Sequence, residues 1–428
     1  MVMLMKKLIR SIKGFPLIWS FLIVLIVFAP AALVSPAESD RYAIVNSIGI
    51  DKLENDELEL SIVLHVPMPT TGYVDAYNLV SAKGKNISEA ISMIELQIGK
   101  ELGLLHTTIM VLGKEFANSD MTRHMNLFLR AEKTGNNTLV VMSEEKAKDV
   151  LGASIKVEKE TGINLSEIIR YNQQHTLSAS ANLEQFFRGY LSPSKSCFLP
   201  IVKLSQSGKD DGLSSDSASP GGGQTSGGGS SESGGGAQSI SEDSGSSKAI
   251  SNTGEVAVIK SGKYVKTLSL EDVKAINWIT KIMDYGQLEI DNFSNDKIKN
   301  VNLSFDVKDK RHTHKVTYDN GFPTITYNIY LDLVASEVEY KTEQKEAFSM
   351  LNNYEGEELN KRIQSKLQTN ISRALNSLRE AGADCVDAYN IIYRNDERNF
   401  ERFLKLVGED NYLKFVDYKV NTFITIKN

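Results

Sequence analysis

Hydrophobic positions change period along this chain, and the changes predict its elements. Residues 42–52 (YAIVNSIGIDK) and 58–68 (LELSIVLHVPM) are rich in aliphatic and β-branched residues and flank Glu54-Asn55-Asp56, the pattern of a β-hairpin. Over 86–102, Ile87, Ala90, Ile91, Ile94, Ile98 and Leu102 fall on one helical stripe that Asn86 or Ser88 is placed to cap. HTTIMVLG (106–113) predicts a buried strand, and 119–130 a helix with Met121, Met125, Phe128 and Leu129 inward. TLVVMS (138–143) reads as another strand and 144–152 as a short helix; helices over 163–172 and 179–189 come next. This alternation favours an α/β layer with some parallel pairing.

The period-two signal dominates later. CFLPIVKL (197–204) and EVAVIKSGKYVKTL (255–268) read as strands, the second divided at the turn Ser261-Gly262. A helix is predicted over 270–284. Strands 301–319 and 324–340 are joined by Asn320-Gly321-Phe322-Pro323, and Ile325, Tyr327, Ile329, Leu331 and Leu333 alternate so that one face is buried. The strongest helix runs over 357–381, with Leu359, Ile363, Leu367, Ile371, Ala374, Leu375 and Leu378 on one stripe and Gly382 as its stop. A short helix over 400–407 and a strand ending the stretch 412–426 complete the reading. The fold class is mixed α/β (α+β) and multi-domain, with mixed sheets and packed amphipathic helices behind an N-terminal membrane or signal segment.

Two stretches break the globular pattern. Residues 206–252 are mostly Ser, Gly, Asp and Glu with no aromatic residue, too little apolar area to offset ordering entropy, so disorder is expected. The expected divisions are therefore 1–37, 38–205 (one region or two subdomains), 206–252 and 253–428. The tract is alternatively an overgrown loop between two strands, since closure cost grows only as the logarithm of length. At the N-terminus, Lys6, Lys7, Arg10 and Lys13 precede the uncharged run FPLIWSFLIVLIVFAPAALV (15–34). A basic flank before an apolar run directs export of the chain beyond it. Residues 17–28 would serve as a signal-peptide core, with Ala29-Pro30-Ala31 or Ser35-Pro36-Ala37 as the cleavage site. Alternatively, about 20 residues at roughly 1.5 Å each span about 30 Å of bilayer, with Phe15, Trp19, Leu22, Leu25, Phe28 and Val34 in the membrane.

Charge and chemistry narrow the picture. The chain carries −6, and without the leader's four cations the remainder from Glu38 carries −10, against nucleic acid or anionic lipid as charge-driven partners. Cys197 and Cys385 are the only cysteines, read as two buried thiols rather than a disulfide scaffold. There is no Gly-Lys-Ser/Thr phosphate loop, no G-x-S-x-G and no H-E-x-x-H. His312 and His314 share a strand face, with Asp306 or Asp309 the nearest further donor, but Lys308, Lys310, Arg311 and Lys315 surround them and would repel a metal. His106 at a strand start is more readily a strand-end residue than a catalytic base. Glu144-Glu145 and Glu357-Glu358 fit first helical turns, where they favour the dipole. No catalytic, cofactor or metal residue is assigned.

Several segments, in order, resemble one family. These are IVNSIGIDK; AKGKNISEAI; LGLLHTTIMVLGKEFA; NLFLRAEKTGNNTLVVMSEEKAKDVL; EVAVIKSGKYVKTLSLEDVKAINWI; and SKLQTNISRALNSLREAGADCVDAYNIIYRN. Together they resemble the Ger(x)C family, the C subunits of spore germinant receptors. The resemblance implies a three-domain mixed α/β protein, non-enzymatic and without cofactor, on the outer face of the inner spore membrane. It implies integral-membrane A and B subunits as partners. The chain departs from the family's lipoprotein-like pattern: no cysteine comes directly after the apolar run. Other readings are an exported cell-wall hydrolase and a surface adhesin.

Overall fold

The computed structural model describes residues 41–66, 76–130, 134–161, 164–175, 177–179, 181–206, 248–280, 286–294, 300–340 and 356–427. The membrane-segment residues Phe15, Trp19, Leu22, Leu25, Phe28 and Val34, and nearly all of the Ser/Gly tract, lie outside them. The order begins β1 (Tyr42–Lys52), β2 (Leu58–Val66), β3 (Ala76–Gly84), α1 (Ile87–Ile98), β4 (Glu101–Gly103) and β5 (Ile109–Leu112). It continues through α2 (Lys114–Asn118), α3 (Met121–Arg130), β6 (Leu139–Ser143), α4 (Ala147–Thr161), α5 (Leu165–Gln174), α6 (Leu183–Leu191) and β7 (Ser196–Gln206). Past the tract come β8 (Lys248–Ser251), β9 (Val256–Lys260), β10 (Lys263–Leu268), α7 (Leu270–Thr280), β11 (Gln287–Phe293), β12 (Val301–Asp319) and β13 (Phe322–Tyr340). The chain ends in α8 (Gly356–Ala381), α9 (Ala388–Asn395), α10 (Glu397–Val407) and β14 (Asp417–Lys427).

These strands form two mixed sheets. The larger has the order β10-β9-β7-β6-β5-β1-β2-β3, with β4 on β1 and β8 on β7. Its centre, β1-β5-β6-β7, is parallel, as the strand–helix alternation predicts, and its flanks are antiparallel. The smaller has the order β11-β12-β13-β14, antiparallel except for the parallel pair β13–β14.

Three apolar clusters arise from the helix stripes. One face of the large sheet is covered by α1, α2, α3 and α6 through residues such as Ile94, Phe116, Met125 and Phe186. The opposite face is covered by α4 and α5 through Val150, Leu151 and Ile169. The third core lies between the small sheet and α7–α10, and it gathers Ile363, Ile371 and Leu375 of α8 with Ile325, Tyr327 and Ile329 of β13, α8 packing most closely on β14 and α7. Strand β9 serves two cores: Ala257 and Ile259 face the first cluster, Val256 and Val258 the third. That double burial explains the unbroken apolar run VAVI where a half-exposed strand would alternate.

Several boundaries differ from the sequence reading. Helix α1 stops at Ile98 because Gly99 adopts φ 67° as a left-handed cap, so Leu102 belongs to β4. Asn86, not Ser88, caps it, accepting from the Glu89 N–H at 2.9 Å. Leu129 points outward at 48 % exposure, because the α3 stripe runs through Met121, Met125 and Phe128. Glu144 and Glu145 precede α4 and so are not in its first turn. The β12–β13 turn is the two-residue Asn320-Gly321, with φ of 49° and 88°, and Phe322 and Pro323 already lie in β13.

Candidate functional site

Two of the family-like motifs each bury an aspartate, and both aspartates accept from the free N–H groups at the start of a helix. In IGIDK, Asp51 is 3 % exposed at the end of β1. Its carboxylate accepts from the Ala147 N–H at 2.7 Å and the Lys148 N–H at 3.0 Å, the free donors of the α4 N-terminus. Small residues make this approach possible. A Cβ on Gly113 would lie 2.0 Å from Asp51 Oδ1, and one on Gly49 would lie 2.8 Å from Leu151 Cδ1. Beside it, Lys148 Nζ donates to Glu59 at 2.7 Å. Burial raises the Asp51 pKa, and the two backbone donors oppose that rise.

In GADC, Asp384 repeats the device for α9. It is also 3 % exposed. Oδ1 accepts from the Ala388 N–H at 2.8 Å, and Oδ2 from the Tyr389 N–H at 2.8 Å and the Tyr412 hydroxyl at 2.5 Å. Desolvation raises the Asp384 pKa, again opposed by its donors. Burial and the neighbouring Asp384 raise the hydroxyls of Tyr412, Tyr418 and Tyr327. Among the described residues the buried Tyr327 hydroxyl has no hydrogen-bond partner. The motif thus clamps α8, α9 and the segment before β14 together. Its sequence signal was an aspartate two residues past the stop Gly382 and four before a short apolar periodicity.

The remaining candidates do not converge. His106 ends a single 3-10 turn and is exposed. His312 and His314 do share the β12 face turned toward α7–α9, but Lys310 lies on the same face and donates to the Asn277 carbonyl at 2.8 Å. Desolvation, then Lys310 and His314, lower the His312 pKa. Asp309 pairs with Arg311 at 3.4 Å. Among the described residues no group of three His, Cys, Asp or Glu is arranged to hold a metal. Glu357 lies in the first turn of α8, bonded to Lys361 at 2.8 Å. Glu144 instead meets Lys203 at 3.4 Å. Both cysteines are free thiols; burial pushes Cys197 up to about 12 and Cys385 well above the ordinary value, so neither is a ready nucleophile.

A concavity with an apolar floor lies where the end of α5 meets α7, α8 and the β11–β12 edge. It holds about 630 Å³. Its floor is apolar, formed by Trp278, Leu288, Val307 and Leu367, and its rim carries Lys274, Lys308, Asp306 and Glu289. The ring of Tyr171 stacks on His175 at 4.0 Å beside it. The sequence reading missed this groove, because its lining comes from segments up to 200 residues apart. Among the described residues no helix is long and apolar enough to cross a membrane.

Two family models match this chain in tandem. Residues 36–204 match the spore germination protein N-terminal domain, and residues 254–428 match the C-terminal domain described as spore germination B3/GerAC like. The chain belongs to this GerAC-like family of germinant-receptor C subunits, whose membership supports a role in spore germination. Among solved structures, the crystal structure of the GerBC protein aligns with a TM-score of 0.45 and 14 % identity, covering 89 % of this chain and 97 % of that one. A search of curated proteins returns no match.

Proposed function

We propose that this chain is the exported, membrane-attached C subunit of a nutrient germinant receptor. In this reading it lies on the outer face of the inner spore membrane and acts with integral-membrane A and B subunits to trigger germination. It works as a non-enzymatic interaction module. The observation that carries the reading is the ordered match of both family domains on either side of the Ser/Gly tract. The geometry agrees with it: the buried carboxylates of IGIDK and GADC are engaged by helix N-termini, a scaffolding use. The apolar run 15–34 supplies the attachment.

Affinity purification of the full chain from spore membranes tests this reading. Both membrane subunits should co-purify, and the chain should resist alkaline carbonate extraction. Recovery in the soluble fraction, starting at Ala32 or Glu38 and without partners, would refute it.

A further inference from the structure

Strand β14 is paired on one side only. β13 runs parallel along it, and among the described residues nothing bonds its other edge. An open edge of eleven residues presents a row of unpaired N–H and C=O groups, which natural sheets cover or blunt.

The strand's own residues indicate what covers it. β14 begins with Asp417, ends with Lys427 and has Thr422 at its middle. Laid antiparallel against an identical strand with Thr422 opposite Thr422, each Asp417 faces the Lys427 of the other copy. On the core side Tyr418 meets Ile426 and Val420 meets Ile424, side chains already packed against the third core. On the outer side Asn421 meets Phe423 and Lys419 meets Thr425, so no like charges are opposed. The register is selective. Sliding it two residues one way sets Lys419 against Lys427; sliding it the other way leaves Lys427 without a strand partner. A slip of one residue would put core-facing residues on the solvent side.

A second observation is independent of charge. Thr422 is 5 % exposed, yet among the described residues its hydroxyl has no hydrogen-bond partner. On a two-fold axis the facing Thr422 supplies an identical hydroxyl. Beside the edge, Phe423 is 49 % exposed and stacks on Tyr330 at 4.8 Å, leaving apolar surface for the second copy to cover. Within its own chain Lys427 holds Asp332 at 2.6 Å and Asp417 lies 3.7 Å from Arg379, so the new pairs extend existing charge contacts.

We propose that two copies of this chain associate edge to edge through β14, antiparallel about Thr422, joining two small sheets into one. The contact is isologous and closes at two copies. It does not depend on assembly with receptor membrane subunits.

The purified full chain in detergent provides the test. Its mass by light scattering should shift from one copy to two as concentration rises to about 100 μM, the range of a small interface. Asp417→Lys and Lys427→Asp, each alone, oppose like charges and should raise the dissociation constant about tenfold or more; combining them should restore it. Thr422→Cys should give a disulfide-linked dimer under mild oxidation, because facing residues bring their Cα atoms within about 5.5 Å. A single-copy mass throughout, a dimer indifferent to both charge reversals, or a folded Thr422→Cys chain that does not cross-link would each overturn the proposal.

Discussion

At the residue scale, the two buried aspartates define what the motifs do. Replacing Asp384 by Ala leaves the Ala388 and Tyr389 N–H groups and the Tyr412 hydroxyl without their acceptor. The expected loss is about 3 kcal/mol of unfolding free energy, measured by denaturant titration. Gly113→Ala should cost about 2 kcal/mol or more through its clash with Asp51, and combining it with Asp51→Ala should cost less than the sum. Additive costs would mean the two residues do not touch. The pH dependence has a defined sign. The folded pKa of Asp384 lies above its ordinary value of 3.8, so its contribution is fully present below pH 3.8 and is lost as pH rises through the raised value. Asp384→Asn does not titrate and should gain on the natural chain as pH rises from 3.8. A difference that is flat in pH would contradict this. These aspartates stood in view in IGIDK and GADC, but their roles were not legible, since each partner helix begins either 96 residues away or in a stretch too short to show its period.

At the element scale, segments with a clean apolar period or an unbroken apolar run were readable, including the short β5 and β6, and mixed-polarity ones were not. The stripe of α8 and the alternation of β12 and β13 carry enough repeats to define element type, with β13 beginning two residues earlier than its alternation indicates. Strands β3, β4, β8 and β11 and helices α2 and α9 went unread. β4, β8 and α2 have three to five residues, too few to show a period. AYNLVSAKG of β3 and QLEIDNF of β11 mix polar residues into the run, so their type is fixed by pairing with β2 and β12. The β7–β8 ladder yields a prediction of its own. Gln206 and Lys248 lie directly opposite each other, so the 207–247 connection leaves and re-enters the sheet at neighbouring points. Replacing 207–247 by a short Gly-Ser turn shortens the closed loop and lowers its closure cost slightly. Thermal unfolding of that variant should stay within about 5 °C of the natural chain, equivalent to roughly 1–2 kcal/mol. A larger fall would show that the tract packs on the folded regions.

At the scale of the whole molecule, β9 ties the two halves of the chain. It hydrogen-bonds to β7 in the large sheet while Val256 and Val258 join the core beneath the small one. The mixed α+β class and the two flanking strand runs were legible from period alone, but a strand shared by two cores was not: VAVI specifies burial on both faces without naming the partners. The groove at Trp278 and the free edge of β14 likewise arise only when distant segments meet. Spores lacking this chain test its proposed service in nutrient-triggered germination most directly. In spores lacking this chain and any other germinant-receptor C subunit, germination measured by loss of optical density should fail with nutrients, return when the full chain is restored, and proceed unchanged by a stimulus that bypasses receptors. Normal nutrient germination of spores lacking this chain and any other germinant-receptor C subunit would contradict the account.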